Sequence, residues 1–220
     1  MSAQSVDATT TVSELRSELR TFAGQPSPRF IAAVLAVVVI ARVAAGGYAW
    51  ADLVVASVIL GLEPFTEWVI HVFVLHAKPR RVLGREVDTL MARKHRRHHA
   101  DPRDIPLVFV PLRVVVPGLT ALVVLVPLLA PDRALALTGL VTGVAVLFVY
   151  EWTHFLIHTR YRPKSRYYRS IHRAHRLHHF RNERYWFGVT IHLGDHVLGT
   201  FPARDEVEAS PTARTLGVGG

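Results

Sequence analysis

Two pairs of long apolar runs, separated by strongly basic stretches, restrict this chain to a helical fold embedded in a membrane. Phe30 to Gly46 is interrupted only by Arg42, and Trp50 to Leu75 extends the pattern over 26 residues. At about 1.5 Å per residue the second run is about 39 Å long, more than the ~30 Å hydrocarbon core needs, so its His-bearing end can project into the interface. Val114 to Ala130 and Ala134 to Tyr150 are each 17 residues without a charge, about the minimum for a span. Gly46-Gly47 turns the chain between the first two runs and Pro131-Asp132-Arg133 between the last two. The expected fold is all-α and integral to the membrane: two transmembrane hairpins, about four spans, with a helical cap on one side. Pro64 is expected to kink the second span, and Pro111, Pro117 and Pro127 to disturb the third.

The charge is confined to the cap. Lys78 to Arg103 and Arg160 to Arg184 each hold nine Lys or Arg, together 18 of the chain's 26, against a formal net charge of +9. The turns near Gly46 and Asp132 carry almost none, so the positive-inside rule places both basic stretches and both termini in the cytoplasm. Interleaved Tyr161, Tyr167, Tyr168 and Phe180 would allow bases to stack. Tethering beside apolar spans favours anionic lipid headgroups instead, and nucleic acid is not expected as a partner. The chain has no cysteine, which excludes disulfides, thiolate metal sites and cysteine nucleophiles.

What remains for chemistry is histidine. Six of the chain's 13 fall within the thirty residues from Tyr150 to His179. Each half of the chain repeats one order: Glu-Trp and a histidine pair at a span's end, a basic linker, then His-x-x-His-His. The first half supplies Glu67, Trp68, His71, His76, His95, His98 and His99; the second supplies Glu151, Trp152, His154, His158, His175, His178 and His179. On a helix, positions i, i+3 and i+4 share one face, so three imidazoles can converge on one or two ions. His154 and His158 also share a face. His71 and His76 stand about 140° apart on an α-helix; either the helix ends between them or they serve different ions, and the second option fits a centre with two metals. His-rich basic helices alone are unremarkable, but two copies beside membrane spans point to metal. The carboxylate supply is too thin for the Glu-x-x-His pattern of ferritin-like bundles. His172 sits one turn before His175, leaving His172, His175 and His179 open as an alternative triad.

The series His71-x4-His76, His95-x2-His98-His99, His154-x3-His158 and His175-x2-His178-His179 resembles the fatty acid hydroxylase and sterol desaturase superfamily, nearest to its fatty acid 2-hydroxylase branch. The likeness extends to Glu67-Trp68-Val69-Ile70-His71, to His98-His99-Ala100-Asp101-Pro102 leading into Leu107-Val108-Phe109, and to Phe187-Gly188-Val189-Thr190 with Asp195 and Gly199-Thr200. The resemblance implies a cytosol-facing centre of two iron ions, with zinc able to occupy it in isolated protein. That centre uses O2 and electrons to hydroxylate a lipid acyl chain. It carries over ten ligands: His71, His76, His95, His98, His99, His154, His158, His175, His178 and His179. Asp195 matches an acidic position able to orient an imidazole, and Glu67, Glu151, His172 and His192 are further candidates for the surrounding shell. His192 and His196 depart from that branch and equally suit a surface role; Gly194 stands where it tends to carry Trp, so the floor of an acyl pocket is expected to differ. No haem domain accompanies the histidines, so electrons are expected from a separate ferredoxin, cytochrome or reductase. The implied division is an N-terminal tail with a short amphipathic helix (1–28), a membrane hydroxylase domain (29–203) and a flexible C-terminal tail (204–220). Carotenoid or sterol hydroxylation or desaturation, and a metal-binding membrane protein without oxygenase activity, are the alternatives.

Overall fold

In the computed structural model, residues 8–218 are described; the first seven residues of the expected N-terminal tail lie outside them. Helix α1 spans Ala8–Ala23, and α2 (Pro26–Ala45) follows with Pro26 in its first turn. Proline there loses no helical hydrogen bond, so the Gln25-Pro26 break starts one helix as it ends another. The expected boundary at residue 28 does not divide the molecule. Phe22 is buried against Phe109, Phe148, Trp152 and Phe155, so the end of α1 belongs to the bundle.

Four helices are long and apolar enough to cross a membrane: Pro26–Ala45, Trp50–Leu75, Ile105–Leu129 and Arg133–His158. The second comprises α3 (Trp50–Val69) and a π-helical turn, Ile70–Leu75; the third combines a short α5 (Ile105–Val108) with α6 (Leu112–Leu129); the fourth is α7 (Arg133–His158). Their outward faces carry Ile40, Leu53, Leu62, Leu125 and Leu128 exposed, as a lipid-facing surface requires. The chain is an integral membrane protein of two helical hairpins. Pro64, Pro117 and Pro127 all lie inside helices that continue past them. Helix α7 is the hub, packing against α2, α3 and α6. At the end away from the histidines, Arg42 is buried and satisfied: it pairs with Asp52 at 2.7 Å and donates to Thr138 Oγ1 and Gly46 O. A paired guanidinium is the form in which that charge is tolerated at such depth.

The cap is built from the two basic stretches. After the π turn comes a two-stranded hairpin, β1 (Arg80–Val82) and β2 (Arg85–Val87), which the sequence reading left unassigned; α4 (Leu90–Ala100) follows. Thr89 caps α4 through Ala92 N–H. Helix α8 (Arg166–Phe180) is capped by Ser165 through Tyr168 N–H, and a short α9 (Leu193–Val197) closes the cap.

The segment expected as a flexible tail from residue 204 instead packs down on the cap. Val207, Ala213 and Leu216 are buried, Ser210 N–H donates to Arg181 O, and Thr212 Oγ1 donates to Glu183. Three apolar side chains spread along a polar, Gly-ended stretch give no periodic signal, which is why the sequence reads as loose.

Candidate metal centre

Helices α4 and α8 each present a His-x-x-His-His face, and the two faces meet between the ends of α3 and α7. The ten histidines fall into two groups of five, each with donor atoms within 4.8 Å of one another: His71, His76, His95, His99 and His178, then His98, His154, His158, His175 and His179. Each motif is therefore shared. Helix α4 gives its i, i+4 pair, His95 and His99, to the first group and His98 to the second; α8 gives His175 and His179 to the second and His178 to the first. Neighbouring positions i and i+4 differ by about 40° around a helix, while i+3 points to their flank, so one motif serves two adjacent points.

His71 and His76 join the same group, not different ones. Between them the backbone is π-helical, and His76 N–H donates to His71 O at 3.0 Å. An i→i+5 turn stacks positions that an α-helix would splay. Neither option that the spacing left open, a helix end between the two or service to different ions, is the one adopted: the helix continues as a π turn and both rings face one group, while the centre still has two groups.

The ring nitrogens fit metal ions. His71 Nδ1 donates to Phe187 O at 2.6 Å, His99 Nδ1 to Ala213 O at 2.8 Å, His154 Nδ1 to Val108 O at 3.0 Å and His178 Nδ1 to Tyr185 O at 2.8 Å. A carbonyl can only accept, so each of these rings carries its proton on Nδ1 and turns a lone pair on Nε2 inward. The Nε2 atoms of His76, His99, His154 and His178 are buried with no partner. In the second group, Nε2 contacts run from His98 to His158 at 3.2 Å, on to His175 at 3.1 Å and to His179 at 3.0 Å; in the first, His71 and His95 meet at 3.2 Å. One Nε2 is either an N–H or a lone pair, so N–H···N bonds cannot satisfy a run of three such contacts. A cation can: metal–nitrogen bonds of about 2.0–2.1 Å leave adjacent ligand nitrogens about 3.0–3.4 Å apart. Burial, with neighbouring imidazoles adding to it, holds His95, His98, His175, His178 and His179 well below the ordinary 6.5, and burial brings His99 to about 3. Neutral imidazole is the form that ligates.

The shell around them is mostly backbone. Asp195 makes no hydrogen bond to an imidazole among the described residues. It accepts from Phe187 N–H at 3.0 Å, Gly188 N–H at 2.6 Å and Thr200 Oγ1 at 2.6 Å, and so fixes the segment whose carbonyl holds His71. Glu67 accepts from Val189 N–H and Thr190 N–H on that same segment, and Glu151 accepts from Val110 N–H at 2.8 Å. His172 lies outside both groups, beside Tyr161, with burial lowering it to about 4; the alternative triad through His172 is not the one brought together. His192 and His196 flank Phe201, also outside the groups. Four carbonyl acceptors, those of Phe187, Val108, Tyr185 and Ala213, were missed because a backbone oxygen leaves no mark in a sequence.

An apolar cavity of about 800 Å³ opens onto the centre. His71, His95 and His154 form its inner end with Lys94 and Tyr150, and Leu135, Ala136 and Val126 line the other. From His154 to Leu135 along α7 is 19 residues, about 28 Å of depth. Gly139 and Gly143 lie on its wall, and a Cβ at Gly143 would meet nothing within 4 Å. Gly194 does not floor this cavity. A Cβ there would stand 2.4 Å from Pro64 O, so glycine lets α9 close against α3.

The fatty acid hydroxylase family profile matches residues 55–200. Two dihydroceramide fatty acyl 2-hydroxylases of Arabidopsis thaliana are similar: FAH1 is 31% identical over 152 residues, 68% of this chain and 62% of its own. FAH2 is 30% identical over 144 residues, 62% of this chain and 55% of its own. The chain thus spans 62% and 55% of the lengths of those relatives. A solved structure titled "Full length scs7p (only hydroxylase domain visible)" shares the fold at a TM-score of 0.65 and 21% identity, over 84% of this chain and 68% of that one. With the matched segment covering both histidine groups, most of α3 and all of α7, the chain belongs to the fatty acid hydroxylase family.

Proposed function

We propose that this protein is an O2-dependent membrane hydroxylase that inserts oxygen into a lipid acyl chain at a histidine-held pair of iron ions. The observation that carries the reading is the meeting of two five-imidazole groups with a long apolar cavity lined at one end by His71, His95 and His154. The ten histidines are the ligands, each group holding one ion. Iron at both sites would supply the activation of O2 that an unactivated C–H bond requires. The chain's own residues do the rest. The cavity wall binds an extended chain and excludes water, Nδ1–carbonyl bonds orient the rings, and Lys94, held by Phe109 O at 2.6 Å, keeps one charge at the cavity's polar end.

The relatives named for dihydroceramide fatty acyl 2-hydroxylation suggest the finer substrate: an amide-linked acyl chain, oxidised beside its polar end. A cavity of ~28 Å depth suits an unbranched chain. The basic cap and the positive-inside rule favour a cytoplasmic centre and cytoplasmic termini. Electrons would come from a separate ferredoxin, cytochrome or reductase meeting that basic face. Lipid mass spectrometry of cells with and without the gene tests the reading. A gain of one oxygen on an acyl chain is expected. A loss of two hydrogens would make the protein a desaturase, and no lipid change together with iron-free purified protein would leave only a metal-binding role.

A further inference from the structure

Two carboxylates at the ends of the spans repeat one geometry. On the second span, where α3 runs into the π turn, His71 Nδ1 donates to Phe187 O, and two residues further along that segment Val189 N–H donates to Glu67, one turn before His71. On α7, His154 Nδ1 donates to Val108 O, and two residues further along Val110 N–H donates to Glu151, one turn before His154. In both places one peptide segment is gripped at residue k by a histidine and at k+2 by a glutamate of the same helix. The peptide between is gripped again: Gly188 N–H donates to Asp195, and Phe109 O accepts from Lys94 Nζ. Both glutamates are buried, and a buried carboxylate at membrane depth is retained only where it has work to do.

The segments are exchanged between the halves of the chain. Val108–Val110 follows the α4 motif, yet it holds α7; Phe187–Val189 follows the α8 motif, yet it holds α3. His71 belongs to one imidazole group and His154 to the other.

Given the two-metal reading above, we infer that Glu67 and Glu151 are paired positioning residues, each governing the ion of one group through the backbone segment that orients its histidine. Glu67 acts on the ion of His71, His76, His95, His99 and His178; Glu151 acts on that of His98, His154, His158, His175 and His179. Neither carboxylate is needed as a ligand. Losing the acceptor for Val189 N–H or Val110 N–H frees the segment, and the imidazole above it loses its fixed Nδ1–H partner. Such outer partners are worth about 10–100-fold in metal affinity.

The experiment uses the purified full chain loaded with zinc alone and then challenged with a graded chelator. Wild type should retain two zinc ions per chain. Glu67→Leu and Glu151→Leu should each retain one tightly and release the other about 10–100-fold more readily. Glu67→Gln and Glu151→Gln keep an oxygen acceptor and should behave as wild type. Combining Glu67→Leu with His76→Ala, in the same group, should still leave one tight ion, whereas Glu67→Leu with His158→Ala should leave none. Retention of both ions by the leucine variants, release of both from either single variant, or equal loss in the glutamine variants overturns the assignment. Amide hydrogen exchange in metal-free protein gives a second measurement: Val189 should exchange faster in Glu67→Leu only, and Val110 in Glu151→Leu only. Unchanged exchange overturns the grip itself. Exchange scores it even if wild type takes up no zinc, the result that would overturn the metal reading instead.

Discussion

His71 and His76 lie five residues apart and face the same group of imidazoles, because the backbone joining them is π-helical, with His76 N–H donating to His71 O at 3.0 Å. One extra residue per turn brings the end of α3 into register with α4 and α8. A regular α-helix over the same residues would turn one of the two rings away from the centre.

Because each His-x-x-His-His motif serves both groups, single substitutions should be separable by metal content and inseparable by activity. His98→Ala weakens the second group and His178→Ala the first. Each should retain about one ion per chain and drop hydroxylation below about 1% of wild type, since outer-shell losses alone cost about 10–100-fold. Metal analysis beside product quantification checks this; full activity with two ions in both variants would remove these histidines from the ligand set.

The C-terminal segment should matter for metal binding although it lies past the family match. Ala213 O is the acceptor for His99 Nδ1, and Arg214 donates to Ala100 O. Deleting residues 208–220 should weaken one ion by about 10–100-fold and leave the other near its wild-type affinity. Zinc titration of the truncated chain reads this out, and equal affinities for both chains would count against it.

Acid should destabilise the metal-free protein. In the folded chain burial holds His95, His98, His175, His178 and His179 well below 6.5 and His99 at about 3; unfolded, these rings return to about 6.5. Above that pH both states are neutral and nothing is lost. As pH falls below 6.5 the unfolded chain takes up protons that the folded chain refuses. Stability then declines by up to about 1.4 kcal/mol per pH unit for each such ring, until its folded pKa is reached. Melting of the metal-free protein in detergent should therefore fall steeply from pH 7 to pH 5. A melting temperature flat across that range would contradict the buried neutral rings.

Gly143 should limit the length of chain accepted. Its Cβ direction is open and faces the cavity roughly halfway between His154 and Leu135. Replacing a helical glycine does not cost helix stability, so Gly143→Phe should fold and shift the hydroxylated products toward shorter acyl chains. An unchanged chain-length profile by mass spectrometry would show that the chain binds elsewhere.

Gly194→Ala should weaken the closure of the cap. A methyl group there would overlap Pro64 O on α3. Overpacking of this kind costs about 1–3 kcal/mol, which thermal unfolding in detergent would register as a lowered midpoint; a midpoint equal to wild type would mean that α9 moves freely.

Much of the architecture was legible in the chain itself. Runs of 17 or more apolar residues leave the backbone no solution but helices in lipid, and the breaks at Gln25-Pro26, Gly46 and Asp132 fall where the helices end or begin. The ten histidines were legible too, because imidazoles in i, i+3, i+4 order share a face. The hairpin at Arg80–Val87 was not, since its strands are short and exposed throughout.

Sequence by itself determined the spans, the side on which charge collects and which side chains are available to hold metal, since hydropathy and helical spacing act locally. Only the tertiary structure decided how the ligands are shared. The π turn, the division of each motif between two groups, the exchange of Val108–Val110 and Phe187–Val189 between halves and the seating of Ala213 O on His99 all depend on contacts between residues far apart in the chain. Backbone carbonyls and amides supply those contacts, and they are the same at every position of a sequence.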